Sequence, residues 1–363
     1  MCQSEEMPSK SGRADSTASS LDSMSDSDCS ESSLQRKYPL RKVSSSGVSS
    51  SGSTESSGLL HGLLQVVLGA VVAVGMVGFS LWFPWFLAPE AATKTYHWAY
   101  YSYKPEISHF DNSAWTYGTD YALANVMLLS TLAVLRYSKV DFTDKLSRYS
   151  ALLLMGYCVS VLAGGFCHQN YMTLESRNSP SFRILWTICV GSVTAASTFM
   201  GITGSEAIRL YKQRPDCSPL LRKVPIIHDA FWWSFGFCVT AICAWGGISF
   251  QRPACDIFIA GITQSPSTFY LMIYFALVEH SKVSIATKII GNVGFILNAP
   301  LLPMYPLLIQ YTDWTLGSVN TLLHCWLCVA WSTQGWSLGD VTRALVQERE
   351  EERASVRAGK SLQ

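Results

Sequence analysis

Between residues 59 and 338 the chain carries one apolar stretch after another, several of them about 20 residues long. No other feature constrains it as tightly. A helix rises 1.5 Å per residue, so about 20 apolar residues cross a hydrocarbon core of about 30 Å. Backbone amides at that depth find no water, so each stretch must close its own hydrogen bonds as a helix. Composition agrees: hydrophobic residues make up 48% of the chain and charged residues 15%, against about 25% charged in ordinary globular domains. A secreted disulfide domain, a nucleic-acid-binding module and a cytosolic enzyme with one apolar core are excluded. The sequence predicts an all-α, polytopic membrane protein.

Eight membrane helices are predicted, at 59–86, 118–136, 148–169, 182–208, 230–250, 256–279, 289–311 and 315–338. Lys and Arg set their direction, because cytosolic loops retain positive charge. With the N-terminus inside, the outer loops hold Lys94, Lys104, Arg177, Arg183 and Arg252, and the other 22 of the 27 basic residues fall inside. Both termini are therefore expected in the cytosol, in a membrane the sequence does not name. Apart from the first, the spans run from outside to inside as a seven-helix bundle over 118–338. The first span, 59–86, reads as an anchor, joined to the bundle by the outer loop 87–117. That loop gathers Tyr96, His97, Trp98, Tyr100, Tyr101, Tyr103, Phe110, Trp115 and Tyr117. It suits a headgroup-level segment, or a lid over an outward pocket.

The ends differ from the middle. Residues 1–58 hold 21 serines and no useful apolar run, so they cannot offset chain entropy and are expected to be a disordered cytosolic tail. Arg41-Lys42-Val43-Ser44 places two cations before a serine, which fits a phosphorylated tail as well as an unregulated one. Residues 339–363 read as a charged cytosolic tail with a short, solvated helix at Glu348–Arg353. The 11 cysteines form no disulfide framework, although Cys167 and Cys255, at outer helix ends, could pair in an oxidising lumen.

Polar groups inside a bilayer are costly and therefore informative. Asp120 and Asn125 start the second span. His168 ends the third, after Gly164-Gly165. The sixth breaks at Thr263-Gln264-Ser265-Pro266. Asn298 precedes Pro300, Pro303 and Pro306 in the seventh, and Asn320, His324, Cys328 and Gln334 lie in the eighth. Prolines free backbone carbonyls, and irregular backbone survives at depth only against protein or a wet cavity. These residues predict an outward-facing polar pocket formed by Asp120, Asn125, Gln264, Asn298 and Asn320, used to sense or move a small molecule or lipid. The alternative is a non-catalytic scaffold whose polar groups glue helices together.

His324-x-x-x-Cys328 carries a second expectation. Residues four apart share a helix face, and an imidazole with a thiolate can take one zinc ion. His168 supplies a third ligand, and Asp120 a fourth or a general base. Depth counts against this arrangement. His168 lies near the outer interface, whereas His324 is about nine residues, or about 13 Å, into its span.

This layout, with an acidic residue in the first bundle helix, a histidine closing the second and a histidine in the last, resembles the CREST superfamily of alkaline ceramidases and adiponectin-receptor-like proteins. The resemblance covers about residues 118–338. It implies a zinc-dependent membrane hydrolase that cuts amide bonds in lipids, with the family's histidine roles falling on His168 and His324. The second histidine of the family's HxxxH is Cys328 here, and the family's serine four residues before the first histidine is Gly164. A rhodopsin-like photoreceptor is excluded, because 315–338 contains no lysine for a Schiff base.

Overall fold

The computed structural model describes residues 52–89, 113–137, 143–177, 179–214, 217–248, 256–278 and 283–361. Residues 1–51 of the Ser-rich leader, residues 90–112 of the aromatic outer loop and Cys255 lie outside them. Among the described residues the chain has helices and no strand. They are α1 (Gly52–Leu87), α2 (Ala114–Tyr137), α3 (Lys145–Asn170), α4 (Leu174–Arg177), α5 (Pro180–Lys212), α6 (Pro219–Lys223), α7 (Asp229–Ile248), α8 (Asp256–Ile262), α9 (Ser265–Leu277), α10 (Ile285–Tyr311) and α11 (Leu316–Ser361).

Among the described residues four stretches are long and apolar enough to cross a membrane: Leu59–Phe83, Ala114–Tyr137, Lys145–Asn170 and Pro180–Lys212. Ile285–Leu301 and Pro303–Tyr311, bent by 52°, make a fifth if they are one span. The chain thus has the helices of a multi-pass membrane protein. The bend has a local cause. Pro300, Pro303 and Pro306 stand inside α10, and each removes an N–H and crowds the preceding turn. The predicted break in the sixth span is the gap between α8 and α9, where Pro266 starts the second piece.

Helix ends follow their capping residues. Asp144 accepts from Ser147 N at the start of α3, Ser179 from Phe182 N at α5, and Ser284 from Thr287 N at α10, each satisfying an amide the helix cannot. Neighbouring helices then close a circuit. α1 packs on α7, α7 on α5, α5 on α3, α3 on α2, α2 on α11, α11 on α10, and α8 and α10 return to α1. α1 is fastened closely: a Cβ on Gly69 would sit 2.4 Å from Phe231 O, and Ser234 donates to Val66 O at 2.7 Å. The core contains Tyr157 and Trp331, stacked at 3.9 Å and 13°.

One expectation is corrected at the C-terminus. The last span does not stop at 338 before a solvated tail. α11 continues as one helix to Ser361, burying Val341, Ala344, Leu345 and Val346. Pairing is the physical reason. Arg349 reaches Asp144 Oδ1 at 2.5 Å, Arg214 pairs with Glu348, and Thr287 donates to Asp340 at 2.6 Å. A charged helix held by partners on three other elements has no reason to fray.

Asp144 gives this clamp a pH dependence. Burial pushes its carboxyl up, but hydrogen bonds from Arg349 and Ser147 and the guanidinium charge outweigh that and hold it below its usual 3.8. A folded-state value below the unfolded one stabilises fully above the unfolded value, and the benefit is lost as pH falls through the folded one. Acidifying below about 3.8 is therefore expected to loosen 340–361, and Asp144→Asn to loosen it already at neutral pH. The pair lies between exposed and buried, which sets the loss at about 1–2 kcal/mol. Hydrogen exchange of α11 checks both; equal protection in the variant would remove the clamp.

Candidate metal centre

Three helices bring one carboxylate and two imidazoles together. α2 turns Thr116, Asp120, Leu123, Met127 and Thr131 to the interior, a spacing of three and four that forms one helical face. Asp120 is 3% exposed. α3 contributes His168, also buried, two residues before its end. α11 contributes His324, whose side chain is 20% exposed. His324 Nδ1 lies 2.9 Å from Asp120 Oδ1, and the two histidine rings meet edge-on at 5.3 Å and 89°. One ligand-type atom from each of Asp120, His168 and His324 falls within 4.8 Å of the others.

Glycine makes the approach possible. A Cβ on Gly165 would lie 3.0 Å from Asp120 Cβ and 3.1 Å from Tyr121 Cε1. A Cβ on Gly164 would stand 3.5 Å from Asp120 Oδ2 and 3.3 Å from Cys189 Sγ. The glycine pair thus lets α3 lie against α2 at the level of the carboxylate. Trp186 of α5 sets its ring edge-on to His168 at 6.0 Å and stacks on Phe182 at 6.0 Å and 11°. His168 is therefore walled by aromatic surface on one side and faces His324 on another.

Depth does not separate the two histidines, contrary to the sequence-based expectation. His324 is eight residues past the start of α11 and His168 two before the end of α3, yet their rings touch. Helices need not begin at a common level, and α11 starts about 9 Å beyond the end of α3. Cys328 is corrected as well. It shares the face of His324, but its thiol donates to Thr119 O at 3.3 Å, and it is not among the three clustered groups. It tethers α11 to the backbone one residue before Asp120.

The residues predicted to form one pocket do not converge. Asn125 is exposed and donates to Tyr121 O at 3.0 Å. Five residues beyond Asp120 is about 140° around the helix, which turns it away. Asn320 is half-buried, one turn before His324 on the same helix. Gln264 and Asn298 belong to a separate network. Tyr157 Oη donates to Gln264 Oε1 at 2.9 Å, Gln264 Nε2 donates to Ala260 O at 3.0 Å, and Trp331 Nε1 donates to Asn298 Oδ1 at 3.1 Å. Sequence reasoning missed Trp186 and the role of the glycine pair. Only Gly164-Gly165 left a signal, since adjacent glycines weaken a helix by about 1 kcal/mol each unless something must come close.

No family model, no curated protein and no solved structure matches this chain.

Proposed function

We propose that the chain crosses the membrane eight times with both termini cytosolic. In this reading the cluster of Asp120, His168 and His324, at its outward end, holds one zinc ion and serves hydrolysis of a membrane lipid. The observation that carries the reading is the meeting of three ligand-type atoms within 4.8 Å, from helices far apart in sequence, where each polar group is costly to bury. A carboxylate with two imidazoles is a donor set that zinc takes at catalytic sites. Donors around tetrahedral zinc stand about 3.3 Å apart, so these atoms need to close by about 1.5 Å at most, within reach of side-chain rotation. When bound, the ion supplies a Lewis acid that polarises a carbonyl and makes water more acidic.

The protein's own groups prepare that chemistry. Asp120 Oδ1 and His324 Nδ1 stand 2.9 Å apart, so the carboxylate and the imidazole are already held together at the site. Trp186 and Phe182 shield His168 from water. The resemblance to the CREST superfamily supports a lipid amide as substrate, with Cys328 standing where that family has its second last-helix histidine. A sensor or carrier of a small ligand draws less support, because Gln264 and Asn298 bond to Tyr157 and Trp331. A scaffold is favoured by one observation, the direct Asp120–His324 bond, which would join α2 to α11 without any metal.

The test uses full-length protein purified in lipid nanodiscs. About one zinc per chain is expected, with turnover of a fluorescent lipid amide that a chelator stops and added zinc restores. Protein that carries no zinc and regains none on dialysis would leave the Asp120–His324 pair as a helix fastener.

A further inference from the structure

A second polar feature lies away from the metal centre and is built of different chemistry. A cavity of about 170 Å³ opens between α1, the α8–α9 break and the kinked part of α10. Among the described residues no ionisable side chain lines it. Its walls are mostly apolar and include Phe79 and Phe83, whose rings lie 5.0 Å apart. The aromatic surface continues along α1 through Trp82, 5.9 Å from Phe79, to Phe86, stacked on Trp82 at 4.9 Å and 26°. Phe79, Trp82 and Phe86 are 42%, 49% and 65% exposed, which leaves an aromatic ladder facing outward beside the cavity.

The backbone around this cavity is missing donors. Pro303 has no N–H, so the carbonyl of Ala299 loses its helical partner; Pro266 does the same to Ile262. Both Ala299 and Ile262 line the cavity. Two donors line it as well. The Asn298 oxygen is taken by Trp331 Nε1, while among the described residues its Nδ2 makes no hydrogen bond, and neither does the Ser265 hydroxyl. An acceptor without a partner in a lipid phase costs several kcal/mol, so this set calls for a ligand that donates and accepts without bringing charge. A hydroxyl does both.

We propose that this cavity binds a sterol, its ring hydroxyl set among Asn298, Ser265 and the Ala299 and Ile262 carbonyls, its ring system along the Phe79–Phe86 ladder. The cavity is small beside the roughly 300–1,000 Å³ of sites that enclose a whole ligand. It takes only the hydroxyl end, and the rest of the molecule lies on exposed α1. A fused ring system loses little conformational freedom on binding, whereas an acyl chain loses several rotors. That favours a sterol over a diacylglycerol bearing the same hydroxyl. The absence of lining charge disfavours phospholipid headgroups.

The experiment places the full chain in phosphatidylcholine nanodiscs with a photoreactive sterol and maps the labelled peptides. Labelling is expected at 79–86, 261–269 and 298–303. Unlabelled sterol should compete at least about tenfold better than its analogue lacking the hydroxyl, or than diacylglycerol, as the loss of paired hydrogen bonds implies. Ala299→Phe adds a ring at an exposed position that lines the cavity, and is expected to cut labelling about tenfold with an unchanged unfolding temperature. Ser265→Ala, a smaller change, is expected to lower it less. Equal competition by the hydroxyl-free analogue or by diacylglycerol overturns the proposal, as does full labelling of a folded Ala299→Phe protein.

Discussion

Replacing His324 by alanine is expected to strip the protein of zinc and to destabilise it, and the two losses have separate causes. The first follows from coordination. On the proposed zinc reading, removing one of three protein ligands lowers metal affinity by at least about 100-fold, since even outer partners of a ligand are worth 10–100-fold. The second follows from burial. Asp120 is 3% exposed and its Oδ1 faces His324 Nδ1 at 2.9 Å. Without the imidazole that carboxylate is buried with one partner gone, which costs about 1–3 kcal/mol for a buried acceptor left unpaired. Asp120→Asn separates the effects. An amide can still accept from His324 Nδ1, so stability should fall by only about 1 kcal/mol, while the neutral oxygen is a poor zinc ligand and the metal should be lost. Zinc content by mass spectrometry and thermal unfolding with and without chelator read both quantities. If Asp120→Asn keeps its zinc, or if neither variant differs from the parent in metal content, the cluster is not a metal centre.

What the sequence made legible follows from how each kind of information is encoded. Span lengths are written locally, as apolar stretches bounded by charge. The long helices of the structure accordingly overlap the predicted spans, and the α8–α9 gap falls at the predicted Thr263-Gln264-Pro266 break. Individual site residues were visible because a bilayer makes each polar group conspicuous. Their grouping was not, because it depends on helix rotation and helix offset. Asn125 looked like a companion of Asp120 at a distance of five residues, but about 140° of rotation puts it on the exposed face. His168 and His324 looked separated in depth, but α11 begins beyond the end of α3. The His324–Cys328 spacing is sound helix geometry, yet the third clustered group comes from Asp120, 204 residues from His324 in sequence. The C-terminal charges read as solvated because their partners, Asp144 and Arg214, are 205 and 134 residues away. Contacts of that range leave no periodic trace.

Gly164 and Gly165, adjacent in sequence, are expected to respond oppositely to substitution, and the difference tests whether packing or ligand identity makes the site. At Gly165 even a single added Cβ would sit 3.0 Å from Asp120 Cβ and 3.1 Å from Tyr121 Cε1. The first neighbour is rooted to the α2 backbone and cannot swing aside. Gly165→Val adds two further methyl groups against that wall, so α2 and α3 must separate. Overpacking of this kind costs about 1–3 kcal/mol. The carboxylate moves with α2 while His168 stays on α3, and zinc affinity should fall by about tenfold or more, although Asp120, His168 and His324 are all present. At Gly164 the nearest atoms are Cys189 Sγ at 3.3 Å and Asp120 Oδ2 at 3.5 Å, both at the ends of side chains that can turn. Gly164→Ser should be accommodated there, and a hydroxyl at that place can donate to the Asp120 carboxylate. It should leave zinc content near that of the parent and stability within about 1 kcal/mol. Thermal unfolding and zinc titration of the two purified variants decide the matter. Similar loss in both would mean that α2–α3 spacing tolerates nothing at this level. Retention of zinc in Gly165→Val would mean that the ligands find one another without the close helix approach, so that the glycine pair does not build the site.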